Sequence, residues 1–199
     1  MMKIKRLPAP DFLNEKAENW GIRYEQRRNQ NSNALFSWTT HNGTRINQIL
    51  LPILMEMTQS HCSFCDGYPV ETVSSNSIEH FRPKTVFPRL AYTWENLFYC
   101  CSKCQESKLE KFAETLLKPD EIAYSFEYFF QYDTLTGDII PNPDRDENEL
   151  LSANKTIELY GLNFHGRPQA RKRTIRQYLD SNNPILDEFP YRFVLVLIN

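Results

Sequence analysis

Cys62-Ser-Phe-Cys65 and Cys101-Ser-Lys-Cys104 decide how this chain folds. They are two C-x-x-C pairs with thirty-five residues between them. In a reducing compartment such a pair of pairs is a strong zinc signal. Each pair offers two thiolates to one edge of a tetrahedron. Two pairs complete the tetrahedron and leave no open position, so the zinc is expected to be structural. A single pair would leave buried apolar cysteines as a competing reading. A redox dithiol would need a thioredoxin-like βαβ pattern, and neither pair follows one. Cys100 is the spare cysteine and reads as a small buried apolar residue.

The rest of the composition narrows the function. Over 199 residues, 41% are apolar and 24% charged, which describes an ordinary globular chain long enough to bury a core without further staples. Lys+Arg 23 against Asp+Glu 25 gives a net charge of −2, which excludes a protein that coats nucleic acid by bulk charge. Contact with nucleic acid must be local or helped by a partner. The six glycines form no G-x-G-x-x-G. Gly161 and Gly166 have P-loop spacing, but Arg167-Pro168 follows where Lys-Ser/Thr is needed. Any ATP in this biology must be handled by another protein. The start, Met1-Met2-Lys3-Ile4-Lys5-Arg6, has no apolar run behind its charges, and the longest apolar stretch is Phe193 to Ile198. A cytoplasmic chain with no membrane contact is expected.

Outward from the cysteines, residues 11–30 read as a helix with Asp11 as N-cap, and residues 31–43 as a polar loop. Residues 44–58 read as a second helix, with Ile46, Ile49, Leu50, Ile53, Leu54 and Met57 on one face and Pro52 inside it. Between the cysteine pairs, 72–73 and 77–81 look β-like. A helix is expected over 102–117, and a hairpin over 124–140 turning at Thr136-Gly137-Asp138. Helices are expected at 147–160, closed by Gly161, and at 167–179, with Pro168 in the first turn. The chain reads as one domain, 1–199, with a helical region (1–60), a zinc-stapled core (61–118) and a hairpin and helical region (119–199).

The stapled segment carries chemistry. Ser77-Ile-Glu-His-Phe-Arg-Pro-Lys84 sets a carboxylate beside an imidazole, followed by two cations. Trp94-Glu-Asn-Leu97 follows, then the second cysteine pair, Gln105 and Lys108. Phosphodiester hydrolysis needs a base for water, a metal for the leaving oxyanion and cations for phosphate. An imidazole titrating near neutrality suits the first role, and a carboxylate holding a hard cation suits the second.

The order Cys-x-x-Cys, Glu-His, Asn, Cys-x-x-Cys-Gln-x-x-Lys resembles an HNH nuclease. The resemblance implies an α+β fold: a ββα-metal core with a four-cysteine zinc knuckle, flanked by N- and C-terminal helices. It makes His80 the general base and Glu79 a ligand of a catalytic Mg²⁺ or Mn²⁺. Asn96 would orient His80 or the hairpin, and Gln105 would be the second protein ligand. Lys3-Ile-Lys-Arg6 with Pro8 and Pro10, Glu79-His-Phe-Arg-Pro-Lys84, Trp94-x-Asn-Leu97 and Leu159-x-Gly-Leu-Asn163 before a basic helix are similar to PtuB-type proteins. These are the HNH subunits of Septu and Septu-containing retron anti-phage systems. That resemblance spans nearly the whole chain and implies a PtuA-type ATPase partner and a DNA or RNA substrate. Two positions depart from the pattern: Glu79 stands where many HNH enzymes have Asp, and Gln105 where Asn or His is usual.

Blander roles compete elsewhere. Arg82, Lys84 and Lys108 either hold the scissile phosphate or are solvated charges. His41, His61 and His165 read as structural or exposed. Arg167, Arg171, Lys172, Arg173 and Arg176 form a solvated face or track a nucleic-acid backbone. Trp94 reads as a core anchor, and residues 144–149 as an acidic surface loop. The expected function is a metal-dependent endonuclease of phage defence. The alternative is a non-catalytic zinc module that binds nucleic acid or protein.

Overall fold

A run of apolar side chains spaced to one face makes the N-terminal helices; in the computed structural model, which describes residues 1–164 and 166–198, the second packs against a β-ribbon and the first against a 3-10 turn. Helix α1 is Asp11–Gln30. Pro10 occupies its N-cap position, so Asp11 is a first-turn acid near the positive end of the helix rather than the cap. Gly21 lies where α1 crosses the 3-10 turn Pro88–Tyr92, and a Cβ there would run into the Arg89 carbonyl. A small hairpin, β1 (Thr40–His41) and β2 (Thr44–Arg45), takes the first two residues of the expected second helix. Helix α2 is Ile46–Met57; it continues through Pro52 and buries Ile46, Leu50 and Leu54.

The β-like run at 72–73 is instead a single helical turn, α3 (Val70–Val73), entered from Pro69. Two β-branched residues are too few to make a strand without a partner. Strand β3 (Asn76–His80) pairs antiparallel with β4 (Leu97–Cys101), and β4 is buried along its whole length. Helix α4 (Ser102–Lys108) follows directly and stops at Leu109, whose φ is 50°. The helix expected to reach 117 is thus cut short. Packing overrides propensity here: Phe112 sits against the rings of Phe81 and Phe87, and Leu116 is buried.

The aromatic run expected as a strand begins as a helical turn, α5 (Phe126–Phe129), because Ser125 caps it by accepting the Tyr128 N–H. Strands β5 (Phe130–Tyr132) and β6 (Ile139–Pro141) then pair, with the turn at Gly137 (φ 86°). Helix α6 (Glu147–Leu159) starts with a capping box of Asp146 and Glu149 and ends before Gly161. Helix α7 is Arg167–Asp180, with Pro168 in its first turn, and α8 is Arg192–Leu195. The fold is therefore mixed: helices around small two-stranded antiparallel sheets. One continuous cluster of buried side chains joins Ile4, Leu13, Leu50, Phe98, Tyr160 and Val194, so N- and C-terminal segments pack on the same ribbon. Among the described residues no helix is long and apolar enough to cross a membrane.

Candidate active site and cysteine cluster

The two C-x-x-C pairs meet. Cys62 and Cys65 lie in the turn after α2, Cys101 ends β4, and Cys104 lies in the first turn of α4. All four are buried, and their sulfurs lie within 4.8 Å of one another. Cys65 and Cys101 Sγ are 3.7 Å apart. A tetrahedral ion with Zn–S bonds of about 2.3 Å would space its sulfurs by about 3.8 Å. Four soft donors at that spacing fit zinc and leave no position for substrate. The Cys101 backbone N–H donates to Cys62 Sγ at 3.4 Å. Cys100 is buried outside the cluster, its thiol donating to the Cys101 carbonyl at 3.2 Å.

The basic run of α7 does not form a wholly solvated face. Arg167 and Arg171 are buried, together with Thr174 and Tyr178. These residues recur at i, i+4, i+7 and i+11, a helical periodicity that was present in the sequence and hidden by the charge of its first two members. Arg171 donates to the carbonyls of Gly137 (2.8 Å) and Leu162. Arg167 Nη2 lies 3.2 Å from Cys104 Sγ. Arg173 and Arg176 are exposed. His61 is also buried, its ring nitrogens 2.7 Å from the Gln59 carbonyl and 3.1 Å from the Phe189 carbonyl, so it stands apart from the sulfurs. His165 lies outside the described residues.

The other end of the ribbon holds the predicted catalytic pair. His80 Nε2 lies 2.9 Å from the Ala91 carbonyl oxygen. A carbonyl only accepts, so Nε2 carries the proton, and Nδ1 is left without a partner among the described residues. Burial, with Lys84 and Lys108 adding like charge, lowers the imidazole pKa to about 3, so the ring is neutral at physiological pH. Its ring stacks on Trp38 (centroids 5.4 Å, 22°) and meets the edge of Phe36 (5.3 Å, 81°). Both aromatics come from the segment read as a polar loop. Two large rings in a run of Asn, Ser and Thr were the signal for them.

Glu79 is buried, and its Oε1 accepts the Lys108 ammonium at 2.8 Å. Burial raises the Glu79 carboxyl pKa, and Lys108 pulls it back down. Lys108 is 0% exposed and also donates to the His80 carbonyl at 3.0 Å, so it is an internal counter-charge with no path to a phosphate in this conformation. Among the described residues, Asn96 makes no hydrogen bond to His80. Its Oδ1 accepts the Arg82 backbone N–H (2.7 Å), and its Nδ2 donates to the carbonyls of Arg82 and Leu90 (3.0 Å each). It therefore fixes the loop that delivers the Ala91 carbonyl to His80. Gln105 is half-buried, with Nε2 3.4 Å from the Ile78 carbonyl.

A cleft of about 290 Å³ opens here, lined by Trp38, Asn47, Ser77, His80, Lys84 and Gln105. Of the three cations expected on phosphate, Lys84 lines it. Arg82 instead forks onto the Glu114 carboxylate (3.0 and 2.7 Å) and packs over Phe87 and Phe112. Among the described residues, the cysteines are the group of three or more His, Cys, Asp or Glu side chains placed to hold one metal. Gln105 lines the cleft, whereas Glu79 does not: it is buried next to His80 on β3 and paired with Lys108.

Over 55 residues the chain is 34% identical to the Septu protein PtuB of Bacillus thuringiensis. That stretch is 28% of this chain and covers about a fifth (21%) of that protein's length. No family model matches the chain.

Proposed function

We propose that this chain is a metal-dependent HNH endonuclease of Septu-type phage defence, working with a PtuA-type ATPase. The partial similarity to PtuB supports the defence setting, and the partner enters through that similarity and the sequence resemblance. One observation carries the chemistry: a neutral His80, held in one tautomer by the Ala91 carbonyl, on the wall of an open cleft. In this reading Nδ1 takes the proton from the attacking water, a contribution of roughly 10²–10⁴ in rate. The lowered pKa keeps that nitrogen unprotonated at working pH, but it also makes it a weaker base than the near-neutral imidazole expected from the sequence. Lys84 draws the phosphate into the cleft. Glu79 and Gln105 would hold a Mg²⁺ or Mn²⁺ ion, whose chemistry when bound is to stabilise the leaving oxyanion. Zinc on the four cysteines holds the ribbon. Asn96 and the 82–91 loop keep the imidazole in register.

One observation favours a second reading, a non-catalytic zinc module that binds nucleic acid or protein. Glu79 already meets a lysine inside the molecule and does not line the cleft, so it is poorly placed to hold a cation there. The two readings part in a cleavage assay on DNA and RNA, run with and without the ATPase. The nuclease reading expects metal-dependent cleavage that His80→Ala abolishes. No cleavage by the parent chain with its partner, or full cleavage by the variant, puts the zinc module in front.

A further inference from the structure

We infer that Arg167 belongs to the metal centre: its guanidinium is the counter-charge of the cysteine cluster and makes metal retention depend on the docking of α7. The inference rests on the cysteines holding a metal, and it is independent of whether the chain cuts nucleic acid. Arg167 is 5% exposed. Its Nη2 faces sulfur, 3.2 Å from Cys104 and 3.8 Å from Cys101. Its Nη1 donates to the carbonyls of Tyr160 (2.8 Å) and Gly161, just past the end of α6. Among the described residues no carboxylate pairs with it. Yet a guanidinium does not give up its proton in a protein, and a buried charge without a partner is strongly unfavourable. Neutral thiols could not balance it. Four thiolates around one Zn²⁺ carry two net negative charges, and a single arginine offsets one of them.

The same side chain therefore joins two structures. One is the cluster made by the two C-x-x-C pairs. The other is the corner between α6 and α7, some sixty residues later. Outer partners of metal ligands typically change metal affinity by about 10–100-fold when removed. The competing explanation is that Arg167 only satisfies the two carbonyls after α6, as helix ends require.

The test uses the full chain loaded with zinc, and the readouts are the rate at which EDTA strips the metal and the absorption of the cobalt-substituted protein. In Arg167→Gln the zinc is expected to leave about 10–100-fold faster, with shifted sulfur-to-cobalt bands. A parental release rate and spectrum beside a lowered melting temperature overturns the inference and leaves a carbonyl cap. Should Arg167→Gln fail to fold, Arg167→Lys decides. It keeps the charge but loses the fork: several-fold faster release with the fold intact supports the assignment, and parental release overturns it. A parent chain that binds neither zinc nor cobalt overturns it outright.

Discussion

The two ends of one β-ribbon are built on opposite principles. At one end Cys101 pairs with Asn76, and at the other Leu97 pairs with His80. The cysteine end gathers four donors from two short motifs, close enough together to share one ion. The histidine end gathers its parts from far along the chain: Trp38 from before α2, the Ala91 carbonyl from a loop, Lys108 from the end of α4. Hydrogen bonds and packing set its geometry without a ligand. The two ends are therefore held by different means, although both belong to the same pair of strands.

Stripping the zinc should have the largest effect, since structural zinc contributes on the order of 10 kcal/mol in small zinc domains. Hydrogen exchange should quicken first around residues 61–67 and 160–171 and much less at 36–38. Equal quickening at Trp38 would erase the distinction between the ends. His80→Ala should lower cleavage by roughly 10²–10⁴-fold while zinc content, measured by elemental analysis, stays at the parental level. Lys108→Met leaves the Glu79 carboxylate buried without its partner and should cost about 3–5 kcal/mol in urea unfolding. Adding Glu79→Gln should recover part of that loss; if it recovers none, the pair is not what Lys108 contributes. Asn96→Ala should cost about 1–3 kcal/mol, through buried backbone groups left unpaired. It should also slow cleavage by releasing the Ala91 carbonyl, with zinc release unchanged. Faster zinc release in that variant would mean the two ends are coupled after all.

The ends also differ in how far the sequence revealed them. Cysteine spacing is local, so two C-x-x-C motifs sufficed to bring four thiols together. The strand 76–80, the turn at Gly137 and the helices near 147–160 and 167–179 were legible for the same reason: periodicity and caps act over a few residues. What stayed hidden depends on contacts between distant segments. Phe36 and Trp38 look like loop residues until His80 is beside them. Lys108 looks like a solvent cation until Glu79 is under it. Arg167 reads as part of a basic patch until α7 turns it onto sulfur. Charge masked burial at both Lys108 and Arg167, because such residues sit at the surface in most proteins.

The stacking of Trp38 on His80 gives this protein a built-in optical gauge. The indole stacks on the imidazole and lines the cleft, so a molecule that fills the cleft up to His80 changes the surroundings of that ring. The chain has three tryptophans, at 20, 38 and 94. With Trp20 and Trp94 replaced by phenylalanine, emission would come from Trp38 alone. Occupancy of the cleft could then be followed as a change in colour and brightness, before any bond is cut and without a label.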